Sequence, residues 1–186
     1  MINTSSNPQL NDEEKTIIVN IEKSLQKLYS EQPSLFPRNN TKALCERCLV
    51  FRFALYLQEN FSEYYVDCDF NSSSWKYYDQ CGSLKEGENP AKLIRQSDGS
   101  FRKRFIDIII HKRSSETDNN FLCFEVKKWN NSRGIKKDIN NLKELTGDEA
   151  MFQYHYKLGL LIILGRTLDK TKIRLFKNGL ELVSNL

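Results

Sequence analysis

Hydrophobic and polar positions alternate along the chain in segments of clearly different period. Ile17, Ile18, Ile21, Leu25 and Leu28 recur at the spacing of one helical face. Asn11 stands before Asp12, Glu13 and Glu14, a capping residue followed by acids where the positive end of the helix dipole favours them. A helix from about Asp12 to Ser30 is therefore predicted, broken by Pro33 and Pro37. A second helix is predicted from about Thr41 to Asn60, with Leu44, Cys48, Phe51 and Leu55 on one stripe and Glu46 away from its centre. Val66, Cys68 and Phe70 alternate with Tyr65, Asp67 and Asp69, which is a strand pattern.

A long polar stretch from Ser72 to Lys103 follows and is read as a loop. Phe105 to Arg113 and Phe121 to Trp129 are two strongly apolar strands, close enough to pair as a hairpin. Ile135, Ile139, Leu142 and Leu145 mark a third helix. Tyr156 to Leu164 is a near-continuous apolar run, as in a central buried strand. Asn178-Gly179 lies between apolar runs, a hairpin-turn dipeptide. The order α, α, β, β, β, α, β and a terminal β hairpin predicts an α/β fold, a central mixed sheet flanked by helices. Residues 1–10 read as a flexible polar tail and 11–186 as a single domain.

Composition narrows the classes. The 186 residues are 39% hydrophobic and 28% charged, enough for one core and too apolar for a disordered chain. Net charge is +4, a mild basic excess that permits a nucleic-acid partner without requiring one. No apolar run reaches the ~18 residues of a membrane span. The start, MINTSSNPQLNDEEK, lacks the basic and apolar regions of a secretory signal. Five scattered cysteines read as reduced thiols, and a cytoplasmic location is expected. Cys45 and Cys48 form a C-x-x-C, with Cys68 and Cys81 beyond, but the pair lies within a predicted helix and reads as small core residues rather than zinc ligands.

The candidate chemistry lies in acids and one lysine placed inside apolar strands. Asp107 interrupts FIDIII, and Glu125 and Lys127 interrupt FLCFEVKK. Strand alternation puts Glu125 and Lys127 on one face, and pairing of the two strands brings Asp107 beside Glu125. Adjacent carboxylates repel unless a cation intervenes, and oxygen ligands select a hard ion, Mg²⁺ or Mn²⁺. The carbonyl of Val126 adds a further ligand, and Glu46 is the best-placed acid to complete the shell. Lys127 then stands beside the metal-bound water, where it orients or deprotonates the nucleophile or stabilises a pentavalent phosphate. The bland alternative is a hairpin with a polar outer face and ordinary Glu–Lys pairs.

Asp107 followed by Glu125-Val126-Lys127, after a helix bearing Glu46, resembles the core of the PD-(D/E)xK nuclease superfamily, the restriction-endonuclease-like fold. The resemblance spans roughly Thr41 to Leu164. It departs at Ile106, where the superfamily's name has a proline that shapes a turn and binds nothing. It implies divalent-metal hydrolysis of phosphodiesters, with Asp107 and Glu125 as metal ligands, Lys127 as the catalytic lysine and DNA as substrate ahead of RNA. Arg104, Lys128, Arg133, Lys136 and Lys137 cluster around these strands and are candidate phosphate contacts. Trp75, Tyr77, Tyr78 and Trp129 are candidates for base stacking or for core under the loop. His111 shares the face of Asp107 and is read as a surface histidine. A domain this small does not easily surround a duplex, which leaves a homodimer open. The alternative function is a catalytically inactive module of this fold that binds nucleic acid or a protein partner.

Overall fold

The computed structural model describes residues 10–37, 45–70, 73–78, 84–89, 93–95, 101–103, 105–112, 120–147 and 154–182. The order is α1 (Asp12–Glu31), α2 (Glu46–Asn60), β1 (Tyr65–Phe70), β2 (Ser73–Tyr78), β3 (Leu84–Asn89), β4 (Leu93–Arg95), β5 (Phe101–Lys103), β6 (Ile106–His111), β7 (Asn120–Lys128), α3 (Ile135–Thr146), β8 (Leu158–Leu164), β9 (Lys172–Lys177) and β10 (Leu180–Leu182). Short 3-10 turns follow α1 and β8.

Six strands form one mixed sheet in the order β1-β6-β7-β8-β9-β10. β7 and β8 run parallel, joined through α3, and every other neighbouring pair is antiparallel. A parallel pair needs such a crossover, and the helix covers the sheet in making it. One face carries Ile108, Phe124, Val126, Leu160, Ile162 and Leu175 and packs on α1 and α2. The other carries Ile109, Cys123, Leu161 and Phe176 and packs on Leu142 and Leu145 of α3. The result is a three-layer α/β arrangement.

Several local expectations hold to within a residue or two. Asn11 accepts from the Glu14 N–H at 2.9 Å while the Glu14 carboxylate accepts from the Asn11 N–H at 3.0 Å, a complete capping box. Asn178 and Gly179 have φ of 51° and 73°, the two left-handed positions of a two-residue hairpin loop, and Leu180 pairs with Lys177 across it.

Others are corrected. In α2 the buried residues are Leu49, Val50, Phe53, Ala54, Tyr56 and Leu57, while Cys48, Phe51 and Leu55 are exposed. The helix is apolar on nearly every side, so its sequence holds two stripes, and the sheet takes the one headed by Glu46. Leu44 and the predicted start at Thr41 lie outside the described residues. The stretch from Ser72 to Lys103 is not a plain loop: β2 pairs with β3 and β4 with β5 as two separate antiparallel ribbons. β3, LKEGEN, carries no apolar alternation to announce it.

Gly159 and Gly165 leave no room for a side chain, for different reasons. A Cβ on Gly159 would meet Thr146 Cγ2 at 3.0 Å and Leu142 Cδ2 at 3.3 Å, both side-chain atoms that can yield. On Gly165 it would meet the Lys170 carbonyl carbon at 2.5 Å, and backbone cannot yield cheaply. Gly165→Ala is expected to destabilise by about 1–3 kcal/mol and Gly159→Ala by less. Thermal unfolding of the two variants checks the order.

Candidate active site

β7 runs on to Lys128, whereas β6 begins at Ile106, and the last register pair at that end is Ile108 with Phe124. Backbone N–H groups on that side of β7 need other acceptors. Two carboxylates supply them. Asp107 Oδ2 accepts from the Val126 N–H at 2.8 Å, and Glu46 Oε2 accepts from the Lys128 N–H at 3.1 Å. Glu46 Oε2 also accepts from Asn131 Nδ2 at 2.9 Å, which ties the first turn of α2 to the bend after β7.

The acids lie just past the last paired residues. Asp107 and Glu125 each lie one residue beyond the Ile108–Phe124 pair, and alternation from Ile109 and Cys123 puts both on the face that meets α3. Lys127 follows on the same face. Glu125 is 1% exposed, so its carboxyl belongs to the interior. Lys127 Nζ stands 3.1 Å from Asp138 Oδ2 and 3.7 Å from Glu46 Oε1. Asp138 projects from the first turn of α3 and is itself buried. Of the expected residues, Asp107, Lys127 and Glu46 meet at one end of β7 together with Asp138, an unforeseen member, while Glu125 is buried on the same strand. The signal for Asp138 was in the sequence: it interrupts the helical apolar stripe of Ile135, Ile139, Leu142 and Leu145. Asn141 interrupts it again, equally buried.

Electrostatics follow from this crowding. Burial raises the Asp107 pKa above the usual carboxylate range; the Val126 N–H and the Lys127 charge oppose that rise, and Asp138 and Glu46 add to it. Burial works to lower the Lys127 pKa, but Asp138, by charge and hydrogen bond, with Asp107 and Glu46, outweighs it and holds the ammonium above its usual value.

The donor set is one of oxygens in excess of positive charge, which suits a hard divalent cation. Among the described residues no three acidic, histidine or cysteine side chains are grouped to enclose an ion. Any ion held here would have to take one or two carboxylates and keep most of its water.

Of the candidate phosphate contacts, Arg133, Lys136 and Lys137 are exposed at the start of α3 and Lys128 is half-buried at the end of β7; Arg104 lies outside the described residues. Trp129 is partly buried against Phe36, with the Arg166 guanidinium 5.8 Å from its ring. The side chains of Trp75, Tyr77 and Tyr78 lie outside the described residues. His111 is not a surface residue: it is 7% exposed, and its Nε2 lies 2.7 Å from Asp67 Oδ2 on β1. Only the pairing of β1 with β6 brings that partner, so local sequence does not show it. Cys45 and Cys48 are exposed rather than core, Cys68 is half-buried and Cys123 buried, all as free thiols; Cys81 lies outside the described residues. Among the described residues no helix is long and apolar enough to cross a membrane.

Comparison with family models, with curated proteins and with solved structures finds no match.

A raised Asp107 pKa means that the folded state holds this proton more tightly than the unfolded chain. Its ionised form therefore costs stability above the folded pKa, and the cost fades as pH falls through that value and is gone below the unfolded one. Asparagine can still accept from the Val126 N–H. Asp107→Asn is expected to raise Tm at neutral pH in EDTA, and the gain is expected to shrink as pH is lowered through the carboxylate range. Melting curves from pH 7 to pH 3 check both the sign and the trend.

Proposed function

We propose that this chain is a divalent-metal-dependent nuclease with the restriction-endonuclease-like fold of the PD-(D/E)xK superfamily, acting on phosphodiester bonds of nucleic acid, DNA ahead of RNA. The observation that carries the reading is the convergence of Asp107, Glu125 and Lys127 on one face of adjacent strands, with Glu46 at the same strand end. The six-stranded mixed sheet between helices supports it at the level of architecture.

Asp107, Glu125 and the Val126 carbonyl would hold Mg²⁺ or Mn²⁺, which when bound supplies an acidified water and neutralises phosphoryl oxygens. Asp107 is oriented for this by the Val126 N–H, which leaves one carboxylate oxygen directed elsewhere. Lys127 carries a positive charge at a fixed place beside the acids, suited to a phosphoryl oxygen whose negative charge grows during the reaction. Its raised pKa favours this electrostatic role over that of a base. Glu46 braces the β7 end and lies on the far side of the ammonium. Exposed Arg133, Lys136 and Lys137 supply the cations a phosphate backbone needs near such a site.

The test is incubation of the full chain with supercoiled plasmid, single-stranded DNA and RNA in Mg²⁺ or Mn²⁺, with and without EDTA. Cleavage that EDTA abolishes is expected, and Asp107→Ala, Glu125→Ala and Lys127→Ala are each expected to lose about 10²-fold or more in rate while remaining folded. Full activity in any one of the three removes its assignment. Nucleic-acid binding without EDTA-sensitive cleavage would replace the nuclease reading with that of a binding module.

A further inference from the structure

We propose that Asp138 is a positioning residue that fixes where the Lys127 ammonium stands; its consequence for catalysis rests on the nuclease reading above. Lysine is a compact charge on a flexible four-carbon stem, and nothing in its covalent structure aims it. Here it is aimed by contacts from two layers. Glu46 approaches from α2, on one side of the sheet, at 3.7 Å; Asp138 approaches from α3, on the other side, at 3.1 Å. The α3 contact is the shorter and the more enclosed, with the Lys127 and Asp138 side chains 12% and 5% exposed.

The placement of Asp138 is itself prepared. Gly134 begins α3 in the left-handed region at φ 77°, and its carbonyl accepts from the Asp138 N–H at 2.9 Å. At the other end of the helix, the missing side chain of Gly159 lets Leu142 and Thr146 come down onto β8. α3 is thereby seated closely enough that an acid in its first turn reaches the end of β7. Without that acid, Glu46 would be the nearer anion and would draw the ammonium toward α2, away from the face that carries Asp107 and Glu125.

The test uses the full chain and two variants, Asp138→Asn, which keeps shape and removes charge, and Asp138→Glu, which keeps charge. In metal-free protein, acetic anhydride labelling of Lys127 is read by peptide mass spectrometry against Lys136 and Lys143. Labelling of Lys127 is expected to rise about tenfold in Asp138→Asn, with little change at the two control lysines, and to return toward wild type in Asp138→Glu. In Mg²⁺-dependent cleavage, Asp138→Asn is expected to lower kcat by about 10²-fold with KM little changed, and Asp138→Glu to restore part of it. An unchanged Lys127 labelling rate in folded Asp138→Asn, or an effect on KM alone, overturns the inference. If the wild-type chain shows no cleavage at all, the nuclease reading falls, and the labelling experiment still decides whether Asp138 holds Lys127.

Discussion

The end of β7 imposes the constraint from which the site follows. A strand that outlasts its neighbour presents backbone donors with no ladder partner, and in a half-buried place water does not satisfy them freely. Here the acceptors are side-chain carboxylates, Asp107 for Val126 and Glu46 for Lys128. Two acids are thereby fixed along one strand edge. Glu125, from the strand itself, is buried beside them, and Asp138 arrives from α3. Lys127 is the cation among them, and at an effective dielectric of about 20 each contact near 4 Å with a carboxylate is an attraction of about 4 kcal/mol before desolvation. Lys127 therefore offsets part of the acidic excess and leaves the remainder, which is the condition under which a further cation is attracted.

How much of this was legible depended on whether the determining contact was local. Strand alternation was enough to put Glu125 and Lys127 on one face, and the two apolar runs flanking a short polar turn were enough to pair β6 with β7. The placement of Asp107 beside Glu125 continues, by one residue, the register that ends at the Ile108–Phe124 pair. Glu46 stands on a helix that precedes the strands, yet the stripe of Cys48, Phe51 and Leu55 that its sequence suggests is not the one the sheet covers. The sheet selects Leu49, Val50, Phe53 and Leu57, and that selection carries Glu46 to the site by the helical spacing of 46, 49, 50, 53 and 57. An all-round apolar helix does not reveal which face a distant sheet will cover.

Asp138 and His111 mark the two ways in which polar residues escaped notice. Asp138 was readable, because an acid in the middle of an amphipathic stripe either disrupts burial or has a buried partner. His111 was not, since its partner Asp67 lies forty-four positions away and meets it only through the antiparallel pairing of β1 with β6. The ribbons β2–β3 and β4–β5 belong to the same class. They are defined by their backbone pairing, in a stretch too polar overall to show a clear strand period.

The buried charges are poorly explained by stability. Replacing a buried ionic cluster with apolar residues of similar volume is often neutral or favourable, because taking charge out of water is expensive. Asp107, Glu125, Lys127 and Asp138 stand next to Ile106, Ile109, Cys123 and Leu142, so an apolar continuation of that packing is available to this fold. The backbone donors at Val126 and Lys128 call for acceptors, but neutral amides would serve them without the burial cost and repulsion that raise the Asp107 pKa. What the arrangement gains over its neutral counterpart is a concentrated negative field with one fixed positive point in it, and that is a chemical property rather than a structural one.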